Sequence, residues 1–281
     1  MGIGLGLALA AAIAFGAADF VGGAGSRRHS SWQVVLVGQL AGALLMLVVG
    51  IMAPGDAHAA DFGWALLAGA GSATGSIFLF RGLSRGRMGL VAPVSAVGAA
   101  VLPVLVGVAL GERPTWLAWL GVLVALPGIW LVSRESTAAP AGNKGALLDG
   151  AAAGAGFGVL FIALGQVSSG AGFLPLAANQ LFGAAVTIAV AAMLRQPWLP
   201  RRAAVGVVTW GGASGLLGAG GTLAFTVATG VTDLSVAAVL ASLYPAVTVL
   251  LAATVLGERL GAGQRLGIGI CTLAVGTLAL G

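Results

Sequence analysis

The chain has 281 residues, of which 59% are hydrophobic and only 7% charged, with a formal net charge of +5. A soluble domain carries about 25% charged residues, so this inventory excludes a folded chain with a water-facing surface, and lipid must be the solvent. The surplus cations do not point to nucleic acid, because they sit in short breaks between apolar runs of about 20 residues, the length of one bilayer crossing.

The runs predict ten membrane helices, over about 2–24, 32–53, 62–83, 88–110, 115–132, 145–167, 172–194, 204–229, 233–256 and 263–280. Trp32, Trp64, Trp116, Trp130 and Trp210 fall near span ends, where amphipathic rings prefer the headgroup level. The opening "MGIGLGLALAAAIAF" lacks the basic stretch of a signal peptide. It also lacks the Ser/Thr at position 6 that myristoylation prefers, so it reads as span 1.

Span 1 also carries a carboxylate, Asp19, in "AIAFGAADFVGGAGSRR". A central Asp costs about 2.5–3.5 kcal/mol on insertion scales, so burial calls for a partner or water. Its helical neighbours Ala12, Phe15, Gly16, Gly22 and Gly23 are mostly small, a face suited to other helices rather than lipid. Three readings stay open: a structural pair with Arg81 of span 3, a proton- or substrate-binding carboxylate, or a solvated residue at a cavity mouth.

Other intramembrane polar groups are few. Gln39 of span 2 and Gln180 of span 7 suit cross-bracing between helices. Span 3 has Ser72, Thr74 and Ser76; span 4 has Ser95 between Pro93 and Pro103; span 8 has Thr222 and Thr226. Such hydroxyls bond back to their own helix, join helices, or face a solute. Span 9 places Ser242, Tyr244 and Thr248 around Pro245, and a mid-helix proline frees a carbonyl. The kink is expected either to gate or merely to pack. Glu112 and Glu258 stand at helix junctions, where a carboxylate suits a helix start. Cys271, the one cysteine, reads as a small buried hydrophobe.

The loops after spans 1, 3, 5, 7 and 9, with the adjoining helix ends, hold every Lys and Arg except Arg113. Lys/Arg asymmetry sets orientation. Odd-numbered loops are therefore expected in the cytoplasm and, with ten spans, both termini outside, in a bacterial-type inner (plasma) membrane.

The chain is written twice. "GERPTWLAWLG" (111–121) parallels "GERLGAGQRLG" (257–267), and a shift of 146 residues carries Trp64, Gly69 and Gly75 onto Trp210, Gly215 and Gly221. Phe15-Gly16 matches Phe157-Gly158, and Gln39 matches Gln180, at slightly smaller shifts. Two halves of five spans, 1–135 and 143–281, must enter the membrane from opposite sides. The fold class expected is all-α integral membrane, with ten transmembrane helices in two five-helix inverted repeats, an arrangement found in many secondary transporters.

"TDLSVAAVLASLYPAVTVLLAATVLGERLGAGQRLGIGICTLAVG" and "GLVAPVSAVGAAVLPVLVGVALGERPTW" resemble the second and first repeats of EamA-type transporters of the drug/metabolite transporter superfamily. The resemblance covers nearly the whole chain. It implies a bundle with a central cavity lined by spans 1, 3, 4, 6, 8 and 9, and export of small metabolites or drugs. "FGAADF" departs from the Trp-Gly start of many relatives, and span 4 has two prolines where span 9 has one.

Nothing in the chain suggests catalysis. His29 and His58 fall in loops, Cys271 has no polar company, and neither paired carboxylates nor metal-ligand spacing occur. No cofactor or metal is expected, with proton coupling left open. The reading is a secondary transporter moving small organic solutes (metabolites, amino-acid-like compounds or drugs) by alternating access. Asp19, Phe15, Ser76, Ser95, Phe157, Thr222, Thr226, Ser242 and Tyr244 are the candidate substrate-binding residues, and Pro93, Pro103 and Pro245 the candidate kinks. Expected partners are a small-molecule substrate and membrane lipid, with no nucleic acid, in a monomer or homodimer. A passive facilitator or lipid scramblase, and a scaffold without transport, are the alternatives.

Overall fold

The computed structural model describes residues 2–84, 88–133, 144–199, 204–257 and 259–280. Among them there are helices and no strand: α1 (Gly2–Ser26), α2 (Ser31–Met52), α3 (Ala59–Ser84), α4 (Met88–Ala109), α5 (Trp116–Ser133), α6 (Lys144–Gly165), α7 (Leu174–Met193), α8 (Ala204–Thr229), α9 (Leu234–Ala241), α10 (Tyr244–Val255) and α11 (Ala262–Leu280). Arg85, Arg87, Arg134, Arg201, Arg202 and Glu258, which entered the reading of the loops, lie outside the described residues.

Among the described residues, nine helical stretches are long and apolar enough to cross a membrane, counting Leu234–Val255 as one. Ten were expected. The one that falls short is α8, whose 26 residues include seven glycines along with Ser, Thr and Trp and so dilute its apolar character. The predicted ninth helix is also not continuous. It breaks after Ala241, and Pro245 falls in the first turn of α10, where its missing N–H would have had no helical partner anyway. The Ser242 amide still donates to Ala238 and the Leu243 amide tightens to Leu240, which closes α9 before the proline starts a new helix. Pro93 and Pro103, by contrast, lie within an uninterrupted α4.

Helices pack mainly across the two halves of the chain. α1 lies along α8 and α3 along α6; α2 packs on α8 and α3 on α7; α4 lies against α6, and α1 against α9 and α10; α5 pairs with α11. Small residues make this possible. At the α2–α8 contact, a Cβ on Gly38 would stand 3.1 Å from the Gly211 carbonyl oxygen, and at the α3–α7 contact one on Gly69 would run into Asn179. In lipid, where no hydrophobic effect drives helices together, such close backbone approach supplies the van der Waals contact that holds the bundle. The small face predicted for α1 is buried in this way at Ala12, Gly16 and Gly22. Cys271 is buried against Gly128 in the α5–α11 contact, as a small hydrophobe would be.

The two ends of the bundle differ. At one end, which we call the closed end, the loops before α3 and before α7 are tied together. The Asp61 carboxylate, 2% exposed, accepts from the His58 and Ser168 amides at 2.8 Å each, and the Asp56 amide donates to the Gly170 carbonyl at 2.9 Å. Glu112 caps a helix, as expected of it, but not its own. It accepts from the α9 amides of Leu234 (2.7 Å) and Ser235 (3.1 Å) and from the Ser235 hydroxyl, while Thr115 accepts the Ala118 amide of α5 at 3.1 Å. Asp233, which stands at the N-cap position of α9, makes no cap hydrogen bond. Burial and the neighbouring Glu112 carboxylate push the Asp233 carboxyl above its usual range.

Candidate functional site: a central cavity with one carboxylate

A partly open cavity lies between the two halves. Its walls come from α1 (Phe15, Ala18, Asp19), α2 (Val34, Val35, Gly38, Gln39), α3 (Ser72, Ser76, Phe80), α6 (Phe157, Leu160, Phe161), α7 (Gln180), α8 (Ser214, Gly215, Gly218, Thr222) and the first residue of α10, Tyr244. These residues place the cavity in the middle of the bundle, with Val34, Val35 and Phe80 toward the end opposite the Asp61 and Glu112 contacts and Phe161 and Gln180 toward those contacts. At the end opposite the Asp61 and Glu112 contacts lies a polar hollow lined by Ser26, His29, Ser30, Ser31, Trp32, Arg81 and Gln196.

The packing around the cavity is reciprocal. Gly75 of α3 makes room for the Phe157 ring of α6, and Gly221 of α8 makes room for the Phe15 ring of α1. Gly183 of α7 lies under the Gln39 amide of α2, and Gly42 of α2 lies under the Gln180 amide of α7. Each contact recurs with the halves exchanged, between residues that the internal repeat aligns. The Thr187 hydroxyl donates to Gln39 Oε1 at 2.9 Å, so one of the two glutamines braces α2 to α7 as expected.

Six of the nine candidate substrate residues line the cavity: Phe15, Asp19, Ser76, Phe157, Thr222 and Tyr244. The other three do not. Ser95 is fully buried where α4 crosses Gly154 of α6, Ser242 is fully buried at the α9–α10 break, and Thr226 donates back to the Thr222 carbonyl at 2.9 Å. Of the six spans expected to line the cavity, span 9 contributes Tyr244 and span 4 contributes no described residue, while α2 and α7, not expected there, supply Val34, Val35, Gly38, Gln39 and Gln180. Val34, Val35 and Gly38 gave no sequence signal beyond an apolar run, because burial against a cavity and burial against a helix select the same small residues.

Two hydroxyls do structural work on α1. The Ser214 hydroxyl donates to the Ala18 carbonyl at 2.9 Å, and the Thr248 hydroxyl donates to the Gly16 carbonyl at 3.0 Å. They tie α8 and α10 to the stretch of α1 that presents Phe15 and Asp19.

Asp19 does not pair with Arg81. Arg81 makes its ion pair with Asp149 of α6, and its guanidinium also lies over the Phe78 ring at 4.6 Å. The reason is geometric: α3 lies along α6, whereas α1 lies along α8. Asp19, half-buried, makes no hydrogen bond or ion pair among the described residues. Among the described residues of the cavity wall it is the one charged side chain, with no Lys, Arg or His beside it. Two ring pairs share the wall with it: Phe15 and Phe161 at 5.8 Å between centroids, and Phe157 and Tyr244 at 6.3 Å, edge to face. The Tyr244 hydroxyl lies beside Ser95 and within electrostatic reach of Asp19.

Among the described residues, no cluster of three or more His, Cys, Asp or Glu could hold a metal ion. No curated protein sequence matches the chain. A protein of known crystal structure is similar over 99% of this chain and 96% of its own, with a TM-score of 0.74 and 16% sequence identity, a likeness that shows the fold. The EamA-like transporter family model matches twice, over residues 2–134 and 144–280. The chain is thus a multi-pass membrane protein that belongs to the EamA-like transporter family.

Proposed function

We infer that this protein is a secondary transporter that moves small organic solutes across a bacterial-type inner membrane by alternating access, in the direction of export. The observation that carries the reading is the reciprocal packing around the cavity: Phe15 on Gly221 with Phe157 on Gly75, and Gln39 over Gly183 with Gln180 over Gly42. Two similar halves, 1–135 and 143–281, exchange roles about a shared space. If they cross the membrane in opposite senses, with α8 as a crossing and α9–α10 as one broken crossing, the chain makes ten passes in two inverted repeats. Swapping the two halves' conformations then opens the same cavity to the other side.

In this account the end at which the hollow opens is cytoplasmic, which agrees with the cations of the odd-numbered loops, and both termini are outside. The structure then corresponds to the state that loads solute from the cytoplasm, with the Asp61 and Glu112 contacts closing the outer face. Phe15, Asp19, Ser76, Phe157, Thr222 and Tyr244 contact solute, and the Pro245 break lets the α9–α10 crossing bend.

The test is uptake into proteoliposomes of a panel of labelled solutes (aromatic and aliphatic amino acids, amines, neutral aromatics). A carrier gives saturable uptake that unlabelled members of its class compete away. Uptake linear in concentration would favour a passive facilitator, and no uptake of any member together with accelerated lipid flip would favour a scramblase.

A further inference from the structure

Asp19 is the feature that solute transport in general does not explain. A neutral metabolite needs no carboxylate, and an anionic one would be repelled by it. Among the described residues, the cavity wall holds this one charge, no cation, and no group that donates a hydrogen bond to Asp19. Leaving an ionised carboxylate uncompensated inside a bilayer costs several kcal/mol unless water, a proton or a counter-ion meets it. The protein had a counter-ion within the same bundle, Arg81, and commits it to Asp149.

The rings around the carboxylate make the complement more specific. Phe15 stands one helical turn before Asp19 on the same face of α1, and Phe157, Phe161 and Tyr244 complete an aromatic wall. Ring faces attract cations, most strongly where both are desolvated. A single carboxylate in a wall shared with several aromatic rings matches a cation whose charge is spread over carbon-bound groups and whose body is apolar, with the hydroxyls of Ser72, Ser76, Ser214 and Thr222 left to meet polar parts of the solute. A divalent metal ion is a poorer match, because such ions favour sites that gather several carboxylates, and the described wall holds one.

Resting on the transporter reading, we propose that the cavity is a site for organic ammonium cations: amines or quaternary ammonium compounds with an aromatic or aliphatic body, whose charge pairs with Asp19 and lies against the rings of Phe15, Phe157 and Tyr244. Gly75 and Gly221 set the positions of the two phenylalanines and so the width of the slot.

The experiment uses benzyltrimethylammonium, its uncharged carbon isostere neopentylbenzene, and phenylacetate as the anionic control, each added to the purified full chain in lipid nanodiscs. Binding is followed by thermal stabilisation and by tryptophan fluorescence. The ammonium is expected to bind at least tenfold more tightly than the isostere, and phenylacetate is expected not to bind. Asp19→Asn should erase the difference between ammonium and isostere, and Asp19→Glu should restore most of it. Equal binding of ammonium and isostere by the wild-type protein would overturn the proposal without any variant, so it is exposed to refutation even if Asp19→Asn fails to fold. No ammonium binding to the folded wild type would overturn it as well. Unchanged ammonium preference in a folded Asp19→Asn protein would do the same. If the same preparation carries neutral solutes in proteoliposomes while failing these tests, the transporter reading stands and the ammonium site falls. If it carries nothing, the transporter reading falls on its own.

Discussion

The Arg81–Asp149 pair joins α3 to α6 and so holds the two halves together beside the cavity. Replacing Arg81 with Gln removes the cation and leaves the Asp149 carboxylate, whose side chain is only 2% exposed. Breaking a buried pair from one side typically costs 3–5 kcal/mol. The lower end applies here, because the Arg81 side chain is 29% exposed and Asp149 is in the second turn of α6, within reach of interfacial water. A further contribution of about 0.5–1 kcal/mol goes with the Phe78 ring contact. Arg81→Gln should therefore destabilise by about 3 kcal/mol, which lowers the melting temperature by roughly 6–12 °C in a chain of this size. Asp149→Asn should cost less, about 1–2 kcal/mol, because the arginine left behind can turn toward water. The double variant should be little worse than Asp149→Asn alone. The assay is thermal unfolding of the purified protein in detergent, run on all four proteins and again with Asp19→Asn in place of Asp149→Asn. Additivity of Arg81→Gln and Asp149→Asn within about 0.5 kcal/mol would refute the pair. Coupling of Arg81→Gln to Asp19→Asn instead would mean that Asp19 is the true partner.

Four further outcomes follow from particular contacts. Glu112→Ala removes the carboxylate that holds two α9 amides, and should cost about 1–2 kcal/mol by the same thermal assay; an unchanged melting temperature would mean that water caps α9 equally well. Gly75→Val and Gly221→Val drive Phe157 and Phe15 into the cavity and should each lower solute uptake at least tenfold with similar size of effect; a large effect in only one would argue against exchangeable halves. Asp233 has a carboxyl whose folded value is raised, so its ionised form weighs against folding: the cost is present above that raised value and disappears as pH falls below the ordinary Asp range. Asp233→Asn should thus stabilise by at most about 1 kcal/mol at pH 7 and by nothing near pH 3, and the opposite trend would contradict the assigned cause. A cysteine introduced at Ser31 should be shielded from an impermeant reagent in intact cells and one at Ala57 should label, whereas the reverse pattern would invert the orientation.

The helices were legible because a bilayer leaves so few choices. An apolar run of 20 residues has to satisfy its backbone internally, so spans and most boundaries follow from composition. What the sequence could not show was which helix meets which. A pair between Asp19 and Arg81 is compatible with the sequence, but nothing in the sequence says that α3 faces α6, so Asp149, a lone acid near the start of α6, does not stand out as the partner of Arg81. Pro245 announced a disturbance; whether it kinks a helix or ends one depends on the turn at Ser242–Leu243, which packing decides. Gln39 and Gln180 were recognisable as equivalent, and the glycine under each partner's amide was not, because glycines are too common here for any single one to stand out. Val34, Val35 and Gly38 were missed as cavity wall since an apolar residue facing a solute looks like one facing lipid.

The central claim, that one cavity is presented to the two sides in turn, is tested most directly by counterflow. Proteoliposomes loaded with an unlabelled solute from the panel are diluted into a trace of the same solute in labelled form, with no ion gradient. An alternating-access carrier predicts a transient accumulation of label above its equilibrium level, lost in Gly221→Val. Label that only rises to equilibrium for every solute it crosses with, or that never enters, would contradict the account.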